Sequence, residues 1–91
     1  MTTLHTDVCV RNRLGLHARA AMKLVELLQA YDATIELQSG DKRATADSVM
    51  AMLMLESAQG QTITLTATGP QAEPALNAVK ALFDAGFDEE S

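Results

Sequence analysis

The chain has 91 residues, 47% hydrophobic but only 3% aromatic, with a single cysteine and a net charge of −5 at pH 7. This is one small domain, residues 1–91, large enough to hold a core of Leu, Val, Ile, Ala and Met without disulfides or metals. The acidic balance argues against nucleic acid, and Cys9 alone excludes an intrachain bridge and suits a reducing compartment.

The opening MTTLHTDVCV lacks the basic start and apolar run of a signal peptide. Leu4, Thr6, Val8 and Val10 alternate with His5, Asp7, Cys9 and Arg11, the period of a strand. His5 and Cys9 share a face, but with no third ligand at suitable spacing they read as strand residues, and no metal site is expected. Asn12-Arg13-Leu14-Gly15 marks a turn. From about Ala18 the period changes. Ala21, Leu24, Val25, Leu28 and Tyr31 form an apolar stripe opposite Lys23, Glu26 and Gln29, which predicts an amphipathic helix.

Ala33, Ile35 and Leu37 alternate with Thr34, Glu36 and Gln38 as a second strand. Ser39-Gly40-Asp41 turns the chain, and Lys42 to Thr45 returns as a short third strand. Asp47-Ser48 caps a short second helix that opens on VMAMLML, an apolar run far too short to cross a bilayer. Beyond Gly60, Thr62, Thr64, Thr66 and Thr68 alternate with Ile63, Leu65 and Ala67, the clearest strand in the chain. Gly69-Pro70 breaks it. A last helix then carries Leu76, Val79, Leu82 and Phe83 on one face and Asn77, Lys80 and Asp84 on the other, with Pro74 in its first turn and Gly86 closing it. Asp84, Asp88, Glu89 and Glu90 read as a solvated acidic ending.

The order βαββαβα, with one polar face per strand and one apolar stripe per helix, predicts an α+β fold of two layers. Three helices cover one face of a four-stranded antiparallel sheet, and water covers the other. The expected location is the cytoplasm, with no membrane insertion.

His17 and Arg19 stand where the first helix begins, in LGLHARAAMKL. Gly15 permits close backbone approach, and a helix start presents unpaired N–H groups and a partial positive charge. A positive helix end beside a second cation favours neutral imidazole, the nucleophilic form. The same helix end and guanidinium can bind the anion that forms if His17 takes a phosphoryl group. A lone histidine near a helix start is commonly a surface residue; Gly-Leu-His-x-Arg between a strand and an amphipathic helix is a narrower coincidence.

LGLHARAAMKL resembles the phosphohistidine signature of the HPr family, phosphocarriers of the bacterial phosphoenolpyruvate-dependent phosphotransferase system. Asp47 to Glu56, DSVMAMLMLE, resembles the family's regulatory-serine segment, and the element order covers the whole chain. The resemblance implies an open-faced β-sandwich and no cofactor. It implies that His17 takes phosphate on Nδ1 from an enzyme I and passes it to an enzyme IIA, with Arg19 assisting. It also implies a partner surface of Ala18, Met22, Lys23, Val49, Met50 and Leu53. HAR followed by AMKL, the helix DSVMAMLMLES, the TATGPQ turn and the acidic ending resemble the nitrogen-related branch of the family. Two departures stand out. The family usually has proline at the position of Ala20, and Asp47 precedes Ser48 where lysine or asparagine is frequent. An acidic neighbour opposes phosphorylation of Ser48, so N-capping is its expected role.

An apolar helix that cannot bury every side chain suits docking, with Met52 expected in the core. The competing readings are a carbohydrate-branch phosphocarrier, a non-catalytic regulatory module on the same fold, and an acyl-carrier-like protein using Ser48. That last fold is all-helical, and the Ile63 to Thr68 strand argues against it. A monomer is expected.

Overall fold

The computed structural model describes residues 3–88. Glu89 and Glu90, half of the predicted acidic ending, lie outside the described residues. The elements run β1 (Thr3–Cys9), α1 (Ala18–Leu28), β2 (Thr34–Ser39), β3 (Lys42–Thr45), α2 (Val49–Leu53), β4 (Thr62–Thr68) and α3 (Ala72–Asp84), followed by a short turn at Gly86–Asp88. The strands form one antiparallel sheet in the order β1-β4-β2-β3.

β4 is paired on both edges, and its strict alternation gives it one apolar and one polar face. Ile63, Leu65 and Ala67 are buried under the helices while the threonines face outward. Leu65 lies opposite Thr6 of β1 and Leu37 of β2, so one row of side chains crosses the sheet into the core. The outer rows are polar. His5 pairs its Nδ1 with the Thr66 hydroxyl at 3.0 Å, and the Thr64 hydroxyl donates to Asp7 at 2.8 Å. Cys9 is exposed on that same face. The four-stranded sheet rules out the all-helical acyl-carrier architecture.

From the helical layer, Leu24 of α1, Met52 of α2, and Leu76, Val79 and Phe83 of α3 close the core. Three details depart from the periodicity. The stripe of α1 also includes Ala20, with 0% exposure, and the helix ends at Leu28, leaving Tyr31 half-buried beyond it. Val10 lies past β1 yet keeps ladder-like bonds, donating to Gln61 O at 2.9 Å and accepting from Gly60 N–H at 2.8 Å. Phe87, which belongs to no stripe or strand pattern, is completely buried, its ring edge-on to Phe83 at 4.8 Å. Phe87 holds φ 57°, a left-handed setting that burial of the ring must offset. Asp84 belongs to α3 and faces Arg11 Nε at 4.0 Å, an exposed pair of little energetic weight.

Candidate functional site

The loop from β1 to α1 is held by short bonds at both of its ends. Gly15 N–H donates to the Asn12 carbonyl at 3.2 Å, closing the turn, and Asn12 Nδ2 donates to the Gly15 carbonyl at 2.7 Å. Across the loop, Leu16 N–H donates to the Ser57 carbonyl at 3.0 Å. Gly15 has φ +69°, and a Cβ there would collide with the Ser57 carbonyl oxygen. Only glycine meets both conditions. The segment after α2 is stitched to the same stretch through Gln59 Nε2, which donates to Arg11 O at 3.0 Å.

This loop delivers His17 as the N-cap of α1, with φ −87° and ψ 179°. The imidazole makes no capping hydrogen bond. The first intrahelical bond runs from Ala21 N–H to His17 O at 2.9 Å, so the N–H groups of Ala18, Arg19 and Ala20 precede the ladder. No acidic side chain occupies the first turn of α1, so the turn itself adds no negative charge to the positive helix end. His17 is half-buried and Arg19 exposed. A partly exposed imidazole, a guanidinium and a helix N-terminus thus sit within one turn, a set suited to binding and receiving an anion.

A profile described as "PTS HPr component phosphorylation site" matches residues 4–85. The chain belongs to the HPr family. It is similar to phosphocarrier protein NPr of Escherichia coli K12, at 53% identity over 97% of this chain and 99% of that protein. It is also similar to NPr of Shewanella violacea, at 52% identity over the full length of both. Among solved structures, HPr-C-His from Thermoanaerobacter tengcongensis superposes with a TM-score of 0.90 at 30% identity, over 97% of this chain and 99% of that one. As a member of the family, the chain is a phosphocarrier component of the phosphotransferase system.

On this HPr-family scaffold, α2 packs against α1, which sets the two groups of proposed partner residues on neighbouring helices. Met50 is 70% exposed, and Met22 and Ala18 are also on the surface, while Val49 and Leu53 are half-buried. Met52 is buried, as expected. Lys23, on the polar side of α1, is half-buried. Its Nζ donates to the Phe87 carbonyl and ties α1 to the C-terminal turn. Ser48 is the N-cap of α2, its hydroxyl oxygen accepting Ala51 N–H at 3.1 Å.

Sequence reasoning missed Leu14, which is 69% exposed in the loop leading to His17. It also read Asn12 only as a turn former, although its side chain is the brace of the loop. The Asn-x-x-Gly spacing carried that signal; the approach of Ser57 from a remote segment did not.

Proposed function

We propose that the protein carries a phosphoryl group on His17, taken from an enzyme I-type donor and given to an enzyme IIA-type acceptor in the nitrogen-related branch. The observation that carries this reading is the helix start. His17 caps α1 by its backbone alone, leaving the ring uncommitted to capping, beside first-turn N–H groups and Arg19. The Nδ1 lone pair attacks phosphorus, the N–P bond forms, and the electron pair of the breaking bond returns to the donor. The new anion then lies against the helix N-terminus and the Arg19 guanidinium. Transfer to the second partner reverses these steps, so the protein ends unchanged and acts as a carrier rather than an enzyme. One chain holds every group named, and a monomer in the cytoplasm suffices. The branch assignment rests on the likeness to NPr proteins. Ser48 is read as structural, because its oxygen already caps α2 and Asp47 opposes a second anion beside it.

The test is incubation with an enzyme I-type donor and phosphoenolpyruvate, with the modified residue mapped by mass spectrometry. Acid-labile phosphate is expected on His17 and absent from His17→Ala; equal labelling of that variant would overturn the reading. A nitrogen-branch donor should be faster than a carbohydrate-branch donor, and the reverse order would select the carbohydrate alternative. Arg19→Ala should slow transfer by about 100- to 1,000-fold with the fold intact, the range for removing one donor to a developing anion. Arg19→Lys should recover only part of the rate, since it lacks the planar fork. Equal rates in all three proteins would assign the anion to the helix end alone.

A further inference from the structure

We propose that Asn12 is a positioning residue for phosphoryl transfer through His17, an inference that rests on the acceptor role given to His17 above. Asn12 is 2% exposed although it lies in a surface loop. A buried carboxamide is costly unless it is hydrogen-bonded, so its bonds have a structural purpose. The turn is already closed by the backbone, through Gly15 N–H to the Asn12 carbonyl. The Asn12 side chain therefore adds something else. Its Nδ2 grips the Gly15 carbonyl at 2.7 Å, and that same oxygen accepts the N–H of His17 at 3.0 Å. The amide of Asn12 and the backbone of His17 thus share one acceptor, and the plane of the Gly15 peptide sets both.

The restraint is placed where the chain is least restrained by its own chemistry. Gly15 is the residue with the widest conformational freedom, and it stands two positions before the nucleophile. The His17 N–H bonds the same Gly15 carbonyl that Asn12 grips, so the brace sets the peptide that carries the imidazole. Behind Asn12, its Cβ lies 3.8 Å from where a Cβ on Gly86 would stand, so the brace rests on the C-terminal turn rather than on solvent. A nucleophile displaced by about 1 Å can lose on the order of 100-fold in rate.

Two variants isolate the donor. Asn12→Ala removes it without adding charge, and Asn12→Asp keeps the shape while replacing the donor by a carboxylate oxygen; only loss of the donor is common to both. Phosphorylation rates are measured with an enzyme I-type donor and phosphoenolpyruvate across a range of carrier concentrations. Thermal melting and hydrogen exchange of the His17 amide are followed alongside. Both variants should lose about 10-fold or more in kcat with KM little changed, and both should exchange the His17 amide faster while remaining folded at the assay temperature. An unchanged kcat in either variant, or a loss confined to KM, would overturn the proposal. Melting of both variants below the assay temperature would also overturn it, by reducing Asn12 to a folding residue. Failure of the unmutated protein to label at His17 would instead overturn the acceptor reading itself.

Discussion

Ala20 lies in the first turn of α1 with no exposed surface, and its N–H precedes the first intrahelical bond. Proline is compatible with φ in that turn and removes no helical bond, and HPr-family chains commonly carry it there. Ala20→Pro should therefore stabilise by about 0.4–1 kcal/mol through the unfolded chain, measured by urea denaturation. A loss of stability would show that the buried site lacks room for the ring. Glu56 presents a different balance, with φ 53° and an exposed ion pair to Lys42 at 3.2 Å. Relief of a left-handed setting returns about 1–2 kcal/mol. Against it stand about 0.5–1 kcal/mol of glycine chain entropy and at most about 1 kcal/mol for the pair. Glu56→Gly should accordingly fall between a loss of about 1 and a gain of about 1.5 kcal/mol, whereas Glu56→Val, with a β-branched side chain at positive φ, should lose more than about 1 kcal/mol. Equal losses in the two variants would place the energy in the ion pair instead.

At the scale of one element, α2 is five residues long and cannot persist by its own hydrogen bonds. Ser48 supplies its cap, and Met52 anchors it in the core. Met50 and Met54 point outward. Met52→Ala should cost about 2–5 kcal/mol as a core truncation, while Met50→Asp should change stability by less than about 0.5 kcal/mol, as surface substitutions do. If α2 is a docking element, Met50→Asp should still weaken binding to an enzyme IIA-type partner. Melting curves and binding isotherms measured on the same samples separate the two effects. A large stability loss in Met50→Asp would make the methionine part of the fold. The VMAMLML run contains no polar residue, so periodicity alone could assign only Met52 to the core, and by default.

Over the whole molecule, the loop bearing His17 is held in place by a chain segment from the other half of the protein. Leu16 N–H meets the Ser57 carbonyl, and Gly15 leaves that oxygen the space it needs. Gly40, at φ +61° in the β2–β3 turn, shares the left-handed setting but has open space around it. Gly40→Ala should cost about 1–2 kcal/mol for the backbone alone. Gly15→Ala carries that cost plus the collision, so it should lose clearly more than Gly40→Ala and slow transfer through His17 as well. Chemical denaturation of both variants checks the difference, and equal losses would mean that the 15–57 approach yields without cost. The C-terminal turn acts on the same region: Lys23 holds the Phe87 carbonyl while the Phe87 ring packs into the core.

The sequence by itself determined the element order, the inward faces of β2 and β4, and the placement of His17 and Arg19 at a helix start. Those features repeat or act over a few residues: side chains alternate in a strand, recur about every 3.6 residues in a helix, and cap a helix end locally. Tertiary structure decided that Phe87 belongs to the core, that Lys23 is tied to its carbonyl, and that Ser57 holds the loop before His17. Asn12 lies between these cases, because its bonding partner is local but its burial depends on Gly86 and the C-terminal turn. Contacts between segments remote in sequence leave no periodic trace in either one, and their energies exist only once the sheet and helices have brought those segments together.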